Sequence, residues 1–232
     1  MIPSESVDVV ISNCVLNLVR HHKKHQLFQE IFRVLKVGGR CVISDIVCDE
    51  DVPMALQGDA DLWSGCVSGA LREDLFVKAF DDAGLYGMHI IERSEAPWRT
   101  IEGIEFRAVT VAAYKGKQGP CLERNQAVIY KGPWRRVVDD DGHALDRGQR
   151  TAVCDKTFTL YQREPYRDHF YFVEPLTQIP PEAARPFDCH AGAARRPRES
   201  KGLHYDVTSE RPAGCRLEGC CESTYGTMNE NT

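Results

Sequence analysis

Two hydrophobic rhythms alternate along the first half of the chain. Residues 6–12, SVDVVIS, form a continuous Val/Ile-rich run, as a strand covered on both faces would. Between residues 23 and 36 the apolar positions fall at Leu27, Phe28, Ile31, Phe32 and Leu35, the spacing of one helical face. Gly38-Gly39 is expected to stop that helix, and residues 40–47, RCVISDIV, predict the next buried strand. A second helix is predicted over about 71–83, ended by Gly84. Strands follow at 87–93 and 106–114 with no helix between them, so an antiparallel pair is expected.

From Lys115 the pattern changes. GKQGPC is a turn-rich linker, after which residues 125–131, NQAVIYK, and 151–162, TAVCDKTFTLYQ, are predicted strands. DDDGH, residues 139–143, reads as a turn between them; it opens like a calcium loop but lacks the remaining ligand positions. The domains expected are therefore 1–115, an α/β sheet portion, and 121–173, a small β-rich module. Residues 174–232, rich in Pro, Ala and Arg and then polar, are expected to be an extended or disordered tail that contains cysteines. No internal repeat is visible.

Composition narrows the classes. With 232 residues, 42% of them hydrophobic, the chain can bury a core. A net charge of -5 gives no basic excess for nucleic acid, and no apolar run approaches the roughly 20 residues that span a bilayer. No basic segment followed by an apolar one opens the chain, so a cytoplasmic location is expected. Against that background ten cysteines are many. Disulfides fit a secreted chain better, so thiols that bind a metal or metalloid, or that act chemically, gain weight. The competing use is as small buried apolar residues.

Three stretches carry candidate chemistry. SNCVLNL, residues 12–18, lies at the carboxyl end of the first predicted strand, where open α/β sheets bind ligands. Asn13 there offers a donor and an acceptor to a polar cofactor, or merely satisfies its own turn. DLWSGCVSGAL, residues 61–71, sets Cys66 among small residues before a helix, as a ligand or a buried core thiol. Cys121, in the linker after Pro120, has no packing reason to be there. The HHKKH run, residues 21–25, reads as the solvated start of a helix rather than a metal site.

Together SVDVVISNCVLNLV, EIFRVLKVGGRCVISDIV, DLWSGCVSGAL, QAVIYKG and AVCDKTF resemble the arsenite methyltransferases, a branch of the class I, S-adenosylmethionine-dependent methyltransferases. The resemblance covers most of residues 5–165. It implies an α/β fold, the C-terminal portion of a Rossmann-like class I methyltransferase sheet with a small β-rich C-terminal module. It also implies a glycine-rich loop and a ribose-binding acid upstream of residue 10, neither of which is present. The expectation is a chain lacking the N-terminal cofactor-binding half.

The resemblance further implies cofactor contacts at Asn13 and Cys14, and As(III) held by Cys66, which matches the family's binding cysteine in LW-x-x-C. The family's second binding cysteine lies just before a strand like QAVIYKG. Here Gln126 stands at the nearest position and Cys121 lies five residues earlier, so the resemblance implies Cys121 as the second As(III) ligand beside Cys66. As(III) is thiophilic, so thiolates are its expected ligands. Its lone pair is the nucleophile, so no general base is required and no catalytic residue is named. The implied partners are As(III) or its thiol conjugates, with thioredoxin or glutathione as reductant, and neither nucleic acid nor membrane. Two other readings stand beside it: a noncatalytic, thiol-rich metalloid- or metal-binding protein, and a methyltransferase of the same fold acting on a small organic molecule. Cys215, Cys220 and Cys221 in CRLEGCC resemble the cysteine-rich endings of some members, or form a flexible thiol cluster.

Overall fold

The computed structural model describes residues 2–191 and 194–200. Its main sheet is built from β1 (Val7–Asn13), β2 (Leu35–Cys48), β3 (Leu71–Arg72), β4 (Tyr86–Arg93), β5 (Arg99–Ile101) and β6 (Ile104–Tyr114). Interleaved helices are α1 (His21–Val34), α2 (Met54–Gln57), α3 (Ala60–Ser64) and α4 (Glu73–Asp82). The strand order is β1-β2-β6-β4. β1 and β2 run parallel, and β6 is antiparallel to both β2 and β4. The expected antiparallel closure is therefore present, with the last strand inserted beside β2.

The helical spacing read from the sequence does its packing work. Phe28, Ile31 and Leu35 meet Phe76, Phe80, Ile43, Val47 and Val111 in one core between α1, α4 and the sheet. Edge-on aromatic contacts join Phe28 and Phe76 to Phe80. Two expectations change. The helix ends at Val34, where Leu35 turns extended, and Gly38-Gly39 lies inside β2 instead of ending α1. The β1–β2 register jumps between Val7↔Leu35 and Val9↔Arg40, so residues 36–39 bulge out. Gly39 is needed there, since a Cβ would stand 2.9 Å from the Asp8 carbonyl. β1 is also not covered on both faces: Ile11 is 75% exposed and Val9 43%.

The linker is anchored at its start. The Lys115 amide donates to the Gly39 carbonyl, and the Gly38 amide donates to Lys115. Beyond it lie β7 (Leu122–Glu123), β8 (Ala127–Tyr130), β9 (Arg136–Val138), β10 (Ala144–Asp146), β11 (Arg150–Ala152), α5 (Asp155–Tyr161), β12 (Phe170–Val173), β13 (Arg185–Pro186) and α6 (Pro197–Ser200). These make a three-stranded sheet, β11-β8-β12, and two two-stranded pairs, β10-β9 and β13-β7. Their core holds Val128, Tyr130, Leu145, Val153, Phe158, Tyr161 and Phe170, and Tyr86 from the main sheet joins it. The Gly87 amide donating to Asp140 also crosses between the two parts, and Lys117 of the linker pairs with Asp141.

Two sequence expectations for this module are corrected. Residues 151–162 are not one strand: β11 ends at Ala152 and α5 begins at Asp155. Cys154 Sγ accepts from the Thr157 amide at 3.4 Å, as a helix cap does, and starts α5 where the strand was expected to continue. Thr157, Phe158, Leu160 and Tyr161 then turn inward at helical spacing. The expected tail, as far as it is described, includes β13, whose pairing with β7 draws residues 185–189 back onto the module. Residues 201–232, with Cys215, Cys220 and Cys221, lie outside the described residues. DDDGH is the turn expected, closing the β9–β10 hairpin with the Gly142 amide donating to Asp139.

Candidate functional site

Asn13, Cys14 and Cys66 gather at the carboxyl end of β1. Asn13 pairs with Ser44 of β2 and is exposed; Cys14 follows with a positive φ of 52°. The loop after α3 brings Cys66 in from the other side, its Sγ donating to the Cys14 carbonyl at 3.3 Å. Cys66 also has a left-handed backbone, φ 61°, which aims its side chain back at the sheet end. It packs with Ile46, Cys48, Val67 and Phe106. Burial pushes the Cys66 thiol up, and Asp45 and Cys14 add to that. Cys14 is raised by the same two causes, burial and then Asp45. Both are held as thiols near neutral pH, so taking a thiophilic atom must displace protons.

Beneath them lies a buried polar network that the sequence reading did not anticipate. Asp45 Oδ2 accepts from the Leu16 amide at 2.8 Å and the Asn17 amide at 3.2 Å, while Oδ1 accepts from the Ile46 amide at 2.8 Å. Asn17 Nδ2 donates to the carbonyls of Ile46, at 2.6 Å, and Cys66, at 3.1 Å. Lys24 Nζ closes the set, donating to Asn17 Oδ1 at 2.8 Å and the Gly69 carbonyl at 2.6 Å. The loop carrying Cys66 is thus fixed to β1 and β2 through Asn17, a buried amide with its donors and acceptor engaged.

Burial sets the ionisation here. It lowers Lys24 from 10.5 to about 8, with Asp45 pulling the other way. It raises the Asp45 carboxyl, against the amides that favour its charged form. The HHKKH run is accordingly not wholly solvated: Lys24 is 3% exposed. A signal existed, because Lys24 shares the helical face of Phe28 and Ile31. Asp45, a lone acid inside an apolar strand, was the other visible clue.

Cys121 belongs to a different group. Its Sγ lies with those of Cys154 and Cys189, all within 4.8 Å of one another. The three come from three segments: the linker before β7, the residue before α5, and the stretch after β13. The group that forms around Cys121 is Cys154 and Cys189, and Cys66 is not a member of it.

Comparison with known proteins bears on both regions. Residues 2–93 match a family model described as a methyltransferase domain, and residues 117–205 one described as a domain of unknown function. The arsenite methyltransferase of Mus musculus is 31% identical over 196 residues, 79% of this chain and 51% of that protein. The chain belongs to the arsenite methyltransferase family. The arsenite methyltransferase of Homo sapiens is 31% identical over 180 residues, 73% of this chain and 47% of that one. That of Halobacterium salinarum is 41% identical over 95 residues, 41% of this chain and 24% of its own length. The chain therefore spans about half the length of the curated arsenite methyltransferases it matches. A solved arsenic(III) S-adenosylmethionine methyltransferase from Chlamydomonas reinhardtii is 24% identical, covers 81% of this chain and 64% of its own, and superimposes with a TM-score of 0.49. At that score the superposition adds nothing to the sequence relation. Among the described residues no helix is long and apolar enough to cross a membrane.

Proposed function

We propose that this chain takes part in methyl transfer from S-adenosylmethionine to thiol-bound As(III), with Cys66 as an arsenic ligand. The observation that carries the reading is the Cys66 thiol held at the carboxyl end of the parallel pair, against the Cys14 carbonyl. Exposed Asn13 and the turn at Cys14 fit one wall of a cofactor site, offering amide and backbone polar groups at the strand end. Bound there, the cofactor would supply an electrophilic methyl group on a sulfonium. The chain's own work is to fix the thiol that positions arsenic, and the Asn17–Lys24–Asp45 network does this by holding the loop of Cys66.

Electron balance shapes the rest of the cycle. The arsenic lone pair forms the new As–C bond as the sulfonium C–S bond breaks, and the pair stays with the departing sulfur. Arsenic is oxidised by two electrons, so a thiol reductant of the thioredoxin or glutathione class must restore As(III). No proton leaves the nucleophile, so no general base is needed.

The test uses the full chain with arsenite, S-adenosylmethionine and a thiol reductant, reading methylated arsenic by mass spectrometry and arsenite affinity separately. Cys66→Ser is expected to weaken arsenite binding at the sheet end at least tenfold and to abolish product. A Cys66→Ser chain that binds and methylates like the parent overturns the assignment. The thiol-rich binding reading gains its own support from the second cysteine group, which is independent of this site.

A further inference from the structure

We propose that Cys121, Cys154 and Cys189 form a site for one thiophilic divalent cation of the zinc type. The cation would tie three segments of the 117–205 module together, and a water would take the fourth position. The three sulfurs already converge, all within 4.8 Å of one another. Zinc–thiolate bonds of about 2.3 Å place tetrahedral sulfurs about 3.8 Å apart, so each pair needs to close by only about 1 Å or less. An all-sulfur donor set excludes hard cations such as magnesium and calcium and suits zinc.

The convergence is built into the backbone. The Phe187 amide donates to the Cys121 carbonyl at 2.8 Å, next to the β13–β7 pair, and this brings Cys189 to Cys121. Buried Gln126 spans the other two segments, its Nε2 donating to the Leu122 carbonyl at 3.3 Å and the Val153 carbonyl at 2.8 Å. Ion pairs Arg124–Asp155 and Arg195–Glu123 brace the same junctions. Three thiolates and one divalent cation carry a net charge of −1. Lys156, whose charge acts on Cys121, compensates it.

The surroundings distinguish this cluster from Cys66, which packs with Ile46, Cys48 and Phe106. Cys154 is fully buried within the module, which suits a resident cation and not an acceptor that must meet a cofactor. Cys121 and Cys189 are half-buried, so water can reach the open position. The sequence carried part of the signal: Cys154 stands in AVCDKTF, and Cys189 in PFDCH beyond the expected module boundary. The proposal does not rest on arsenic chemistry.

The experiment uses the full chain, purified under reducing conditions from zinc-supplemented cells, with Cys215, Cys220 and Cys221 changed to Ser so that only the folded part reports. Zinc content by mass spectrometry is expected near one per chain. Cys189→Ser is expected to lower it at least tenfold, and Cys66→Ser to leave it unchanged. Replacing zinc by Co(II) keeps the readout independent of the variants, since thiolate ligation gives intense charge-transfer absorption in the near ultraviolet. Absence of zinc together with absence of that absorption overturns the proposal. So does a disulfide among these three cysteines in the reduced preparation, or arsenite bound at this cluster in preference to zinc.

Discussion

At the carboxyl end of β1 the thiols rest on a buried network of amides, a carboxylate and an ammonium. In the second module the thiols are themselves the polar cluster. The first arrangement spends Asn17, Lys24 and Asp45 on holding one loop, and Cys66, packed against the sheet end, has its thiol raised by burial. The second puts three sulfurs within 4.8 Å of one another. Burial there pushes Cys121 up, but hydrogen bonds from Cys189 and Cys154, with Lys156 nearby, outweigh it and bring the thiol below its ordinary value. Cys189 moves the other way, raised by burial and by its bond to Cys121. A single site wants its ligand positioned by other chemistry; a cluster can make one of its own members the proton-deficient one.

The largest effect should come from breaking the first arrangement at its tightest contact. A Cβ at Gly69 would lie 1.9 Å from the Asn17 carbonyl oxygen, a backbone atom that cannot swing aside. Gly69→Ala is expected to cost more than about 3 kcal/mol in urea unfolding. A loss under about 1 kcal/mol would show that the loop of Cys66 is not pinned as described. Next comes Asp45→Ala, which strands the buried amides of Leu16, Asn17 and Ile46. Each stranded donor costs about 1–3 kcal/mol, with less than additive totals because the three share one acceptor. The comparison sharpens if this variant alters alkylation of Cys66 and leaves that of Cys121 unchanged. Equal change at both would mean the two regions are coupled.

The sheet was legible because its signals are local and periodic. The helical face of Leu27, Phe28, Ile31 and Phe32 and the runs around Val10, Ile43 and Val111 each specify one element and one buried side. At the sheet end the sequence singles out Asn13, Cys14 and Cys66, which the fold gathers there, but passes over the Asn17, Lys24 and Asp45 network beneath them. A buried charge is defined by partners distant in sequence, here 21 residues apart and joined through Asn17. Lys24 looked like part of a solvated run because its neighbours are. The cysteine group of the module was hidden for the same reason, since Cys121, Cys154 and Cys189 meet only after β13 returns to β7. The helix α5 was misread because its capping atom is a sulfur rather than the usual oxygen.

Lys24 makes a smaller, pH-dependent effect. Its folded pKa of about 8 lies below its ordinary value of 10.5. Between those values the unfolded chain binds the proton and the folded chain does not. Stability contributed by this group therefore rises as pH goes from about 8 toward 10.5 and is flat below that window. The gain should amount to a few kcal/mol at most, since one pKa unit is about 1.4 kcal/mol. Lys24→Met removes the titrating group, so the parent-minus-variant difference in unfolding free energy should climb across this window. A difference independent of pH between 8 and 10 would mean that Lys24 is solvated.

The smallest effect distinguishes the two thiol regions without unfolding either. In metal-free chain at pH 7.5, iodoacetamide should label Cys121 several-fold faster than Cys14, although Cys14 is the more exposed. The reason is thiolate fraction: Cys121 is held below the ordinary thiol value by its sulfur neighbours, whereas burial and Asp45 hold Cys14 above it. Cys41 and Cys48, pushed up to about 12 by burial, should stay unlabelled until the chain unfolds. Cys189→Ala removes a hydrogen bond to Cys121 and should slow its labelling while leaving Cys14 unchanged. Peptide mass mapping reads every site in one digest. If Cys14 labels first, or if Cys189→Ala leaves the Cys121 rate where it was, the three sulfurs are near one another without sharing a proton. The cluster would then have no more chemical unity than the thiols at the sheet end.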